Sequence, residues 1–346
     1  MLSTQQSNRT AQSSQENAAL EYSIITEIRE VTSIAPEWDA LLTQSRCNRA
    51  FSCSKWYLAT PYLLPKLQPL VAVARRHGAL VGVFPVWLDM ERGEAGFPDD
   101  FSDHLDIIAA DDDREVMTGL LSVMLRRDSV YRKLSLKHIK PDSNCVRAAR
   151  ELGLCGDLTD FFSPLKALPY AVVDLTGGYG RFREIKNLNR FRKKAQQSGI
   201  AVCELRPQDF PPESLPELFL TLHRGRFGEH TSLHSICESP EKWVHHLFPS
   251  LFRERRMRVF ALIQGGCIAG IDLVMTARSG VYAWNGGFLP EMARYAPGKL
   301  LIDKTIQECC LEGLAEYDLG WFGQEYKAYW KPGTRYIGEL QFEIHP

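Results

Sequence analysis

The sequence predicts an α+β protein of two tandem domains, each a mostly antiparallel sheet flanked by helices. Three observations carry that expectation. At 346 residues the chain is long enough for about two domains of roughly 150 residues each. Residues 70–88 (LVAVARRHGALVGVFPVWL) are two β-rich runs about a His-Gly turn, a hairpin signal, and residues 258–276 (RVFALIQGGCIAGIDLVMT) repeat it. Gly78 corresponds to Gly266 and Gly82 to Gly270, each 188 positions further on with no gap between them, which points to an internal duplication.

Similar segments surround each hairpin. Residues 1–20 are rich in Ser, Gln, Asn and Thr without an apolar core, and read as a disordered tail instead of a signal peptide. In the first half, residues 114–127 place apolar side chains at 116, 117, 120, 121 and 124, the spacing of a helix packed on one face. Residues 131–139 read as a strand and 144–154 as a second helix. In the second half, 213–227 and 241–255 read as helices, 281–288 as a strand, 297–313 as a helix and 316–321 as a strand. The junction falls at Pro164 to Pro169, giving domains at 21–165 and 166–346.

Composition narrows the function. Hydrophobic residues make up 45% and charged residues 24%, ordinary globular proportions. Forty-one basic residues against 42 acidic ones leave a net charge of −1, which argues against a dedicated polyanion binder. No apolar run approaches the roughly eighteen residues that cross a bilayer. The nine cysteines, an odd number without a C-x-x-C pair, suit reduced thiols in the cytoplasm.

The segment ARYAPGKLLIDKTIQECCLEG (293–313) reads in two ways. Pro297 fits the first turn of a helix, Gly298 allows close backbone approach, and Lys299 adds charge at the positive end of the helix dipole, so a phosphate could seat there. Equally, it is a Pro-initiated helix whose Leu301, Ile302, Ile306, Cys309 and Cys310 pack. His104 with Asp103 and Asp106 has the composition of a metal site, but H-x-D spacing does not define one, and no metal is assigned. Arg181, Arg183, Lys186, Arg190, Arg192, Lys193 and Lys194 form a basic cluster that is either a solvated face or a docking surface.

The order of these features resembles a known family. A two-strand meander, a helix opening with Pro-Gly, the strand YDLGWF (317–322) and EYKAYWKPG (325–333) are similar to the GNAT acyltransferase superfamily. The likeness is to its double-domain branch, which includes the CelD/BcsL-like acetyltransferases and is related to the FemAB peptidyltransferases. In the first half EWDALL (37–42), FSCSKWYLA (51–59) and DFSDHLD (100–106) match the same branch, so the resemblance runs from about residue 30 almost to the end. It implies two GNAT-like domains, the first a scaffold or acceptor wall and the second binding the donor. The implied activity is N-acyl transfer from a thioester, acyl-CoA or a phosphopantetheine-linked acyl carrier protein, to a primary amine of a small molecule, sugar or peptide. No permanently bound cofactor is implied. A FemAB-like use of aminoacyl-tRNA and a non-catalytic donor-binding module remain alternatives. The usual R/Q-x-x-G-x-G/A loop is reduced here to Arg294 and a single Gly298.

The resemblance also assigns roles. Backbone N–H groups around Trp284, Asn285 and Gly286 would meet the acyl oxygen, and Arg294, Tyr295, Pro297, Gly298, Lys299 and Leu300 would receive the donor's phosphate. Tyr326, with Tyr329 second, would sit near the leaving sulfur. His223 in LHRGRFGEH is the expected base, its ordinary pKa being suitable and its helix resembling the acceptor-side helix. Asp272 stands where the first copy has Phe84, a carboxylate in only one copy of a buried strand; Asp318 is read as structural.

Overall fold

In a computed structural model, which describes residues 19–98, 102–111, 113–126, 130–154, 167–185, 187–228, 240–321 and 323–344, both predicted hairpins form. The tail (1–18), half of the junction (164–166), Lys186 and the end of the 222–230 motif lie outside the described residues. Strand β1 (Leu20–Ile25) begins inside the expected tail, and its register on the next strand runs without a break from Leu20.

The first hairpin is β2 (Gln68–Arg76) with β3 (Ala79–Asp89), followed by the short β4 (Glu94–Gly96), β5 (Ile108–Ala109) and β6 (Lys133–Ile139). The second half contributes β7 (Leu168–Asp174), β8 (Ile200–Leu205), β9 (Met257–Gln264), β10 (Cys267–Thr276), β11 (Gly280–Phe288), β12 (Glu316–Trp321) and β13 (Gly333–Glu343). They form one sheet in the order β1-β2-β3-β4-β6-β13-β7-β12-β11-β10-β9-β8, with β5 on β3.

The duplication is visible in the pairing. From the outer edge inward, the first half runs β1, β2, β3, β4, β6, with β4 and β6 parallel and the other neighbours antiparallel. The second half runs β8, β9, β10, β11, β12, with β11 and β12 parallel and the others antiparallel. Each hairpin slips register at the same place. Val81 is skipped before Gly82 and Ala269 before Gly270, the same 188-residue offset read from the sequence. The turn glycines also match, Gly78 at φ +77° and Gly266 at +80°, a backbone that favours glycine.

Helices pack on both faces. Between the two outermost strands of each half lie α1 (Ile28–Leu42) and α2 (Ser54–Ala59), and later α6 (Leu215–Phe227) and α7 (Pro240–Arg253). Before β6 lies α3 (Arg114–Met124), whose buried Val116, Met117, Leu120, Leu121 and Met124 are the predicted apolar set, capped by the Asp113 side chain on Val116 N–H. Before β12 lies α8 (Pro297–Leu311). α4 (Asn144–Glu151), α5 (Leu188–Gln197) and the short α9 (Glu325–Ala328) complete the set.

Two features tie the halves together. Strand β13 pairs with β7 through Gly333 to Ile337 and then with β6 through Gly338 to Glu343, so one strand belongs to both sub-sheets. On the α1, α2, α6 and α7 side, one apolar core runs across the boundary, with Trp56 of the first half edge-on to Trp243 (5.3 Å) and Trp284 (6.0 Å) of the second. Arg256 reinforces it by reaching Asp39 at 3.1 Å, which also accepts from Ser54.

A Cβ on Gly96 would lie 2.0 Å from the Ser135 carbonyl oxygen of the parallel β4–β6 pair, backbone that cannot turn aside, whereas one on Gly78 would meet open space. Gly96→Ala should therefore cost about 2 kcal/mol or more in urea unfolding, as overpacking of a closed site does. Gly78→Ala should cost about 1 kcal/mol, from its left-handed backbone alone. Equal losses would mean that β4 gives way.

Candidate functional site

Strands β11 and β12 pair only through Gly280–Glu316, Val281–Tyr317 and Tyr282–Asp318. Beyond that point β11 stays with β10 as far as Phe288, while β12 follows β7, whose Tyr170 pairs with Trp321. A notch opens between them. On its β11 side Trp284 is a bulge, since Leu273 faces Asn285 while Val274 faces Ala283. The bulge has an anchor: the Trp284 ring packs among Trp56, Trp243, Phe219 and Phe248 at centroid distances of 5.6–6.1 Å.

Two glycines shape this stretch. Gly287 lies against the α6 backbone, where a Cβ would come within 2.3 Å of the Leu222 carbonyl. Gly286 lies opposite Asp272, and a Cβ there would fall 2.4 Å from the Ile271 carbonyl oxygen. The Gly286 N–H, expected to face the acyl oxygen, is held by the Asn285 side-chain oxygen at 2.8 Å.

Asp272 shares a sheet face with its cross-strand neighbours Phe260 and Gly286, the face covered by α8, and accepts a hydrogen bond from Tyr317 Oη at 3.3 Å. Removal from water pushes its carboxyl up to about 7, against the Tyr317 hydrogen bond and the Arg226 charge, which pull it down. The group is nevertheless only half-buried. Tyr326, on α9 just beyond β12, is 39% exposed, and burial together with the Asp272 charge pushes its hydroxyl up to about 12. Asp272, Tyr317, Tyr326 and the Arg226 guanidinium thus feel one another electrostatically around the notch.

His223 is not among them. It is 2% exposed on α6, with its ring against Phe219 (5.0 Å) and Phe227 (4.7 Å), in the core on the opposite face of β11 from Asp272. A signal for this was present in the sequence, because Leu215, Phe219, Leu222 and His223 follow the 3.6-residue period of one helix face.

At the N-terminus of α8, Ala296 adopts a left-handed conformation (φ 55°, ψ 56°) before Pro297. The N–H groups of Lys299 and Leu300 turn back onto the Ala296 carbonyl (3.0 and 3.3 Å), and no described residue accepts the Gly298 N–H. Nothing stands within 4 Å of the position a Gly298 Cβ would take. The cations nearby lie on aromatic rings: Lys299 over Tyr329 (4.0 Å) and Phe191 (5.2 Å), Arg294 and Lys194 over Tyr295 (4.8 and 5.3 Å). Tyr329, the second choice for the leaving sulfur, is thereby engaged with Lys299. This N-terminus offers an anion one free N–H and several cations, a thinner cradle than a glycine-rich loop of amides.

Sequence reasoning missed a polar network under the apex of the notch. His104 Nε2 lies 3.2 Å from Asp318 Oδ2, and Asp318 Oδ1 accepts the Gly320 N–H at 2.8 Å. Asp103 accepts from Tyr170 (2.8 Å) and Tyr282 and lies 3.0 Å from His138 Nδ1. Lys327 is buried and donates to the Trp321 carbonyl at 2.6 Å; burial lowers its ammonium to about 8, against the charges of Asp318 and Asp103. Asp106 accepts the Ile107, Asn144 and Cys145 N–H groups at 2.7–2.9 Å. The three residues weighed for a metal thus each have separate partners. Within the basic cluster, Arg192 forms an ion pair with Asp303 through Nε and Nη2 (2.8 and 2.6 Å), while Arg190, Lys193 and Lys194 are exposed.

Comparison with known proteins agrees with this architecture. Residues 181–328 match the acetyltransferase (GNAT) domain family. No curated protein matches the sequence. Among solved structures the chain is similar in fold to FemX, at 12% identity and a TM-score of 0.57 over 94% of this chain and 97% of that one. It is also similar to the C-terminal DUF2156 domain of a putative lysylphosphatidylglycerol synthetase from Agrobacterium fabrum (14%, 0.56, 90% and 92%). L-PGS from Bacillus licheniformis is a further likeness (14%, 0.51, 89% and 90%). No described helix is long and apolar enough to cross a membrane. Residues 181–328 thus carry an acetyltransferase (GNAT) family domain, within a chain whose overall fold is similar to that of FemX.

Proposed function

We propose that this protein transfers an acyl group from a thioester, acyl-CoA or an acyl carrier protein, to a primary amine of a small molecule, sugar or peptide. The observation that carries the reading is the half-buried Asp272 carboxyl on the floor of the notch, opposite the bulged edge of β11. Such a donor places the reaction in the cytoplasm. The second half, 166–346, binds the donor and carries the chemistry; the first, 21–165, is scaffold and acceptor wall.

Acyl transfer needs a neutral amine, donors for the acyl oxygen and a proton for the thiolate. The open edge of β11 at Trp284 to Gly286 offers backbone groups for the pantetheine arm and acyl oxygen. Gly298, Lys299 and Arg294 face the donor's phosphate. Asp272, with a carboxyl poised near neutrality, takes the amine's proton, a role that suits it better than the core-bound His223. Tyr326 keeps its proton at neutral pH and hydrogen-bonds the leaving sulfur. The exposed Arg190, Lys193 and Lys194 beside this end favour a second reading, aminoacyl-tRNA as donor, which RNA retained on the purified protein would support.

Mass spectrometry of candidate amines incubated with the protein and acetyl-CoA or an acyl carrier protein tests the reading. A donor that binds without any acylated product would leave a non-catalytic binding module.

Asp272→Asn should lower kcat by about 10²–10⁴, and the rise of kcat/KM with pH up to about 7 should vanish with it. The same carboxyl sets a stability slope. Its folded pKa lies above the unfolded value near 4, so the folded state holds the proton more tightly, and stability falls as pH rises from about 4 through 7. In urea, Asp272→Asn should therefore gain on the wild type at pH 8 relative to pH 5.

Gly298→Val should abolish donor binding in a folded protein by filling the open space at the α8 N-terminus. Lys299→Ala and Arg294→Ala should weaken it in a salt-sensitive way. Titration calorimetry at two salt concentrations reads both; unchanged affinity in folded Gly298→Val would move the donor elsewhere. Tyr326→Phe should slow transfer most for thioesters with poor leaving thiols.

A further inference from the structure

Helix α5 has two unlike faces, set by the 3.6-residue period. Leu188, Phe191, Arg192 and Ala195 face inward, Leu188 and Ala195 into the core under α8 and Arg192 onto Asp303. Arg190, Lys193 and Lys194 face outward and are exposed, and the helix contains no acidic residue. Among the described residues, Arg190 and Lys193 have no carboxylate partner, and Lys194 reaches only the Arg294 carbonyl, at 3.0 Å, and the Tyr295 ring. Like charges three and four positions apart repel, and Arg190 in the first turn opposes the helix dipole. In a chain of net charge −1 this is a local concentration of cations that costs stability, and no described carboxylate offsets it.

The same helix stands beside the phosphate seat of α8. Lys194 holds the Arg294 carbonyl, and Lys299, next to Gly298, lies over the Phe191 ring at 5.2 Å. The seat has one free N–H, on Gly298, which suits a single phosphodiester better than the pyrophosphate and ribose phosphate of coenzyme A. The rings nearby are already engaged. Phe191 carries Arg190 and Lys299, and Tyr295 carries Arg294 and Lys194, at 4.8–5.4 Å, so this end offers charge instead of a platform on which adenine could stack.

We propose that the acyl donor is a small acidic carrier protein, which docks an acidic surface along Arg190, Lys193 and Lys194 and lays its serine-linked phosphopantetheine from Gly298 toward the notch. Such a donor rests on the acyl-transfer reading and narrows it to one source. In the transfer the amine nitrogen bonds to the acyl carbon, the C–S bond breaks, and the proton the amine gives up ends on the pantetheine thiol, so the carrier leaves as the free thiol. RNA, which the same cations also attract, fits the patch less well. The helix is ten residues, about 15 Å, and its rings lie under cations instead of open to unpaired bases. Exposed Glu184, just before the helix, and Glu291, in the turn whose Arg294 carbonyl Lys194 holds, interrupt the positive surface that a longer phosphate backbone would follow.

Titration calorimetry of the full chain with a bacterial acyl carrier protein bearing free-thiol phosphopantetheine tests it, against free phosphopantetheine as the arm without the protein. The carrier should bind about tenfold more tightly than the free arm or better, and added salt should shrink the difference. Arg190→Glu combined with Lys193→Glu should erase that difference and leave the affinity of the free arm as it was. Arg29→Glu, which reverses an exposed cation on α1, should change neither affinity. A carboxylate at position 190 suits the first turn, so the double variant should be no less stable in urea than the wild type. Lys193→Gln, expected to weaken carrier binding severalfold, stands in should the double variant fail to fold. Carrier binding no tighter than the free arm, unchanged carrier affinity in the folded variants, an equal loss in Arg29→Glu, or displacement of the carrier by transfer RNA would each overturn the assignment. Acylation of an amine from the free arm, with no preference for the carrier, removes the docking surface and leaves the acyl-transfer reading. Docking as described without any acylated amine does the reverse.

Discussion

The notch depends on where one indole is held. Trp284 enters an aromatic cluster whose rings come from α2 in the first half and from α6 and α7 in the second, and a side chain fixed there cannot keep step with the regular alternation of β11. The extra residue is absorbed as a bulge, which bends the strand and re-aims the residues beyond it. Gly286 and Gly287 come next, where the backbone of β10 and α6 leaves no room for a side chain. The first half therefore shapes the opening in the second through packing, without placing any of Asp272, Tyr317 or Tyr326 itself.

Face parity then decides which groups can work together. Along β10, Ile271, Leu273 and Met275 belong to the core under α6 and α7, while Asp272 and Val274 face α8. Asp272 is thus the ionisable group that the strand presents on the notch side, and Tyr317 from β12 meets it there. His223 sits behind the sheet, where an imidazole serves as one more ring in the aromatic cluster.

Much of this was legible in the residues. The paired hairpin glycines gave the offset at which both hairpins slip register; the apolar spacing of α3 and the limits of β12 were read directly. Asp272 stood out against Phe84. What escaped has physical reasons. β1 and β8 are outer-edge strands of six residues, too short and too mixed in character to alternate clearly. β7 starts at Leu168, inside the stretch read as a junction from its prolines. The His104–Asp318 pair joins residues 214 positions apart, and no local pattern announces a contact of that range. The burial of His223 was legible in its helical period, which its chemistry overshadowed.

Strand β13 also has a temporal consequence. It occupies the middle of the sheet, between β6 and β7, yet it follows the sheet's other described strands in sequence and is made after them. Until it emerges, the inner edges of both sub-sheets expose unpaired backbone beside apolar surface, the condition in which strands recruit foreign partners. Local units such as the two hairpins can form early, but the whole sheet cannot close during synthesis of the first half. The last strand acts as the keystone of an arch, and a nascent chain stalled before residue 333 would present two open edges facing each other across one missing strand.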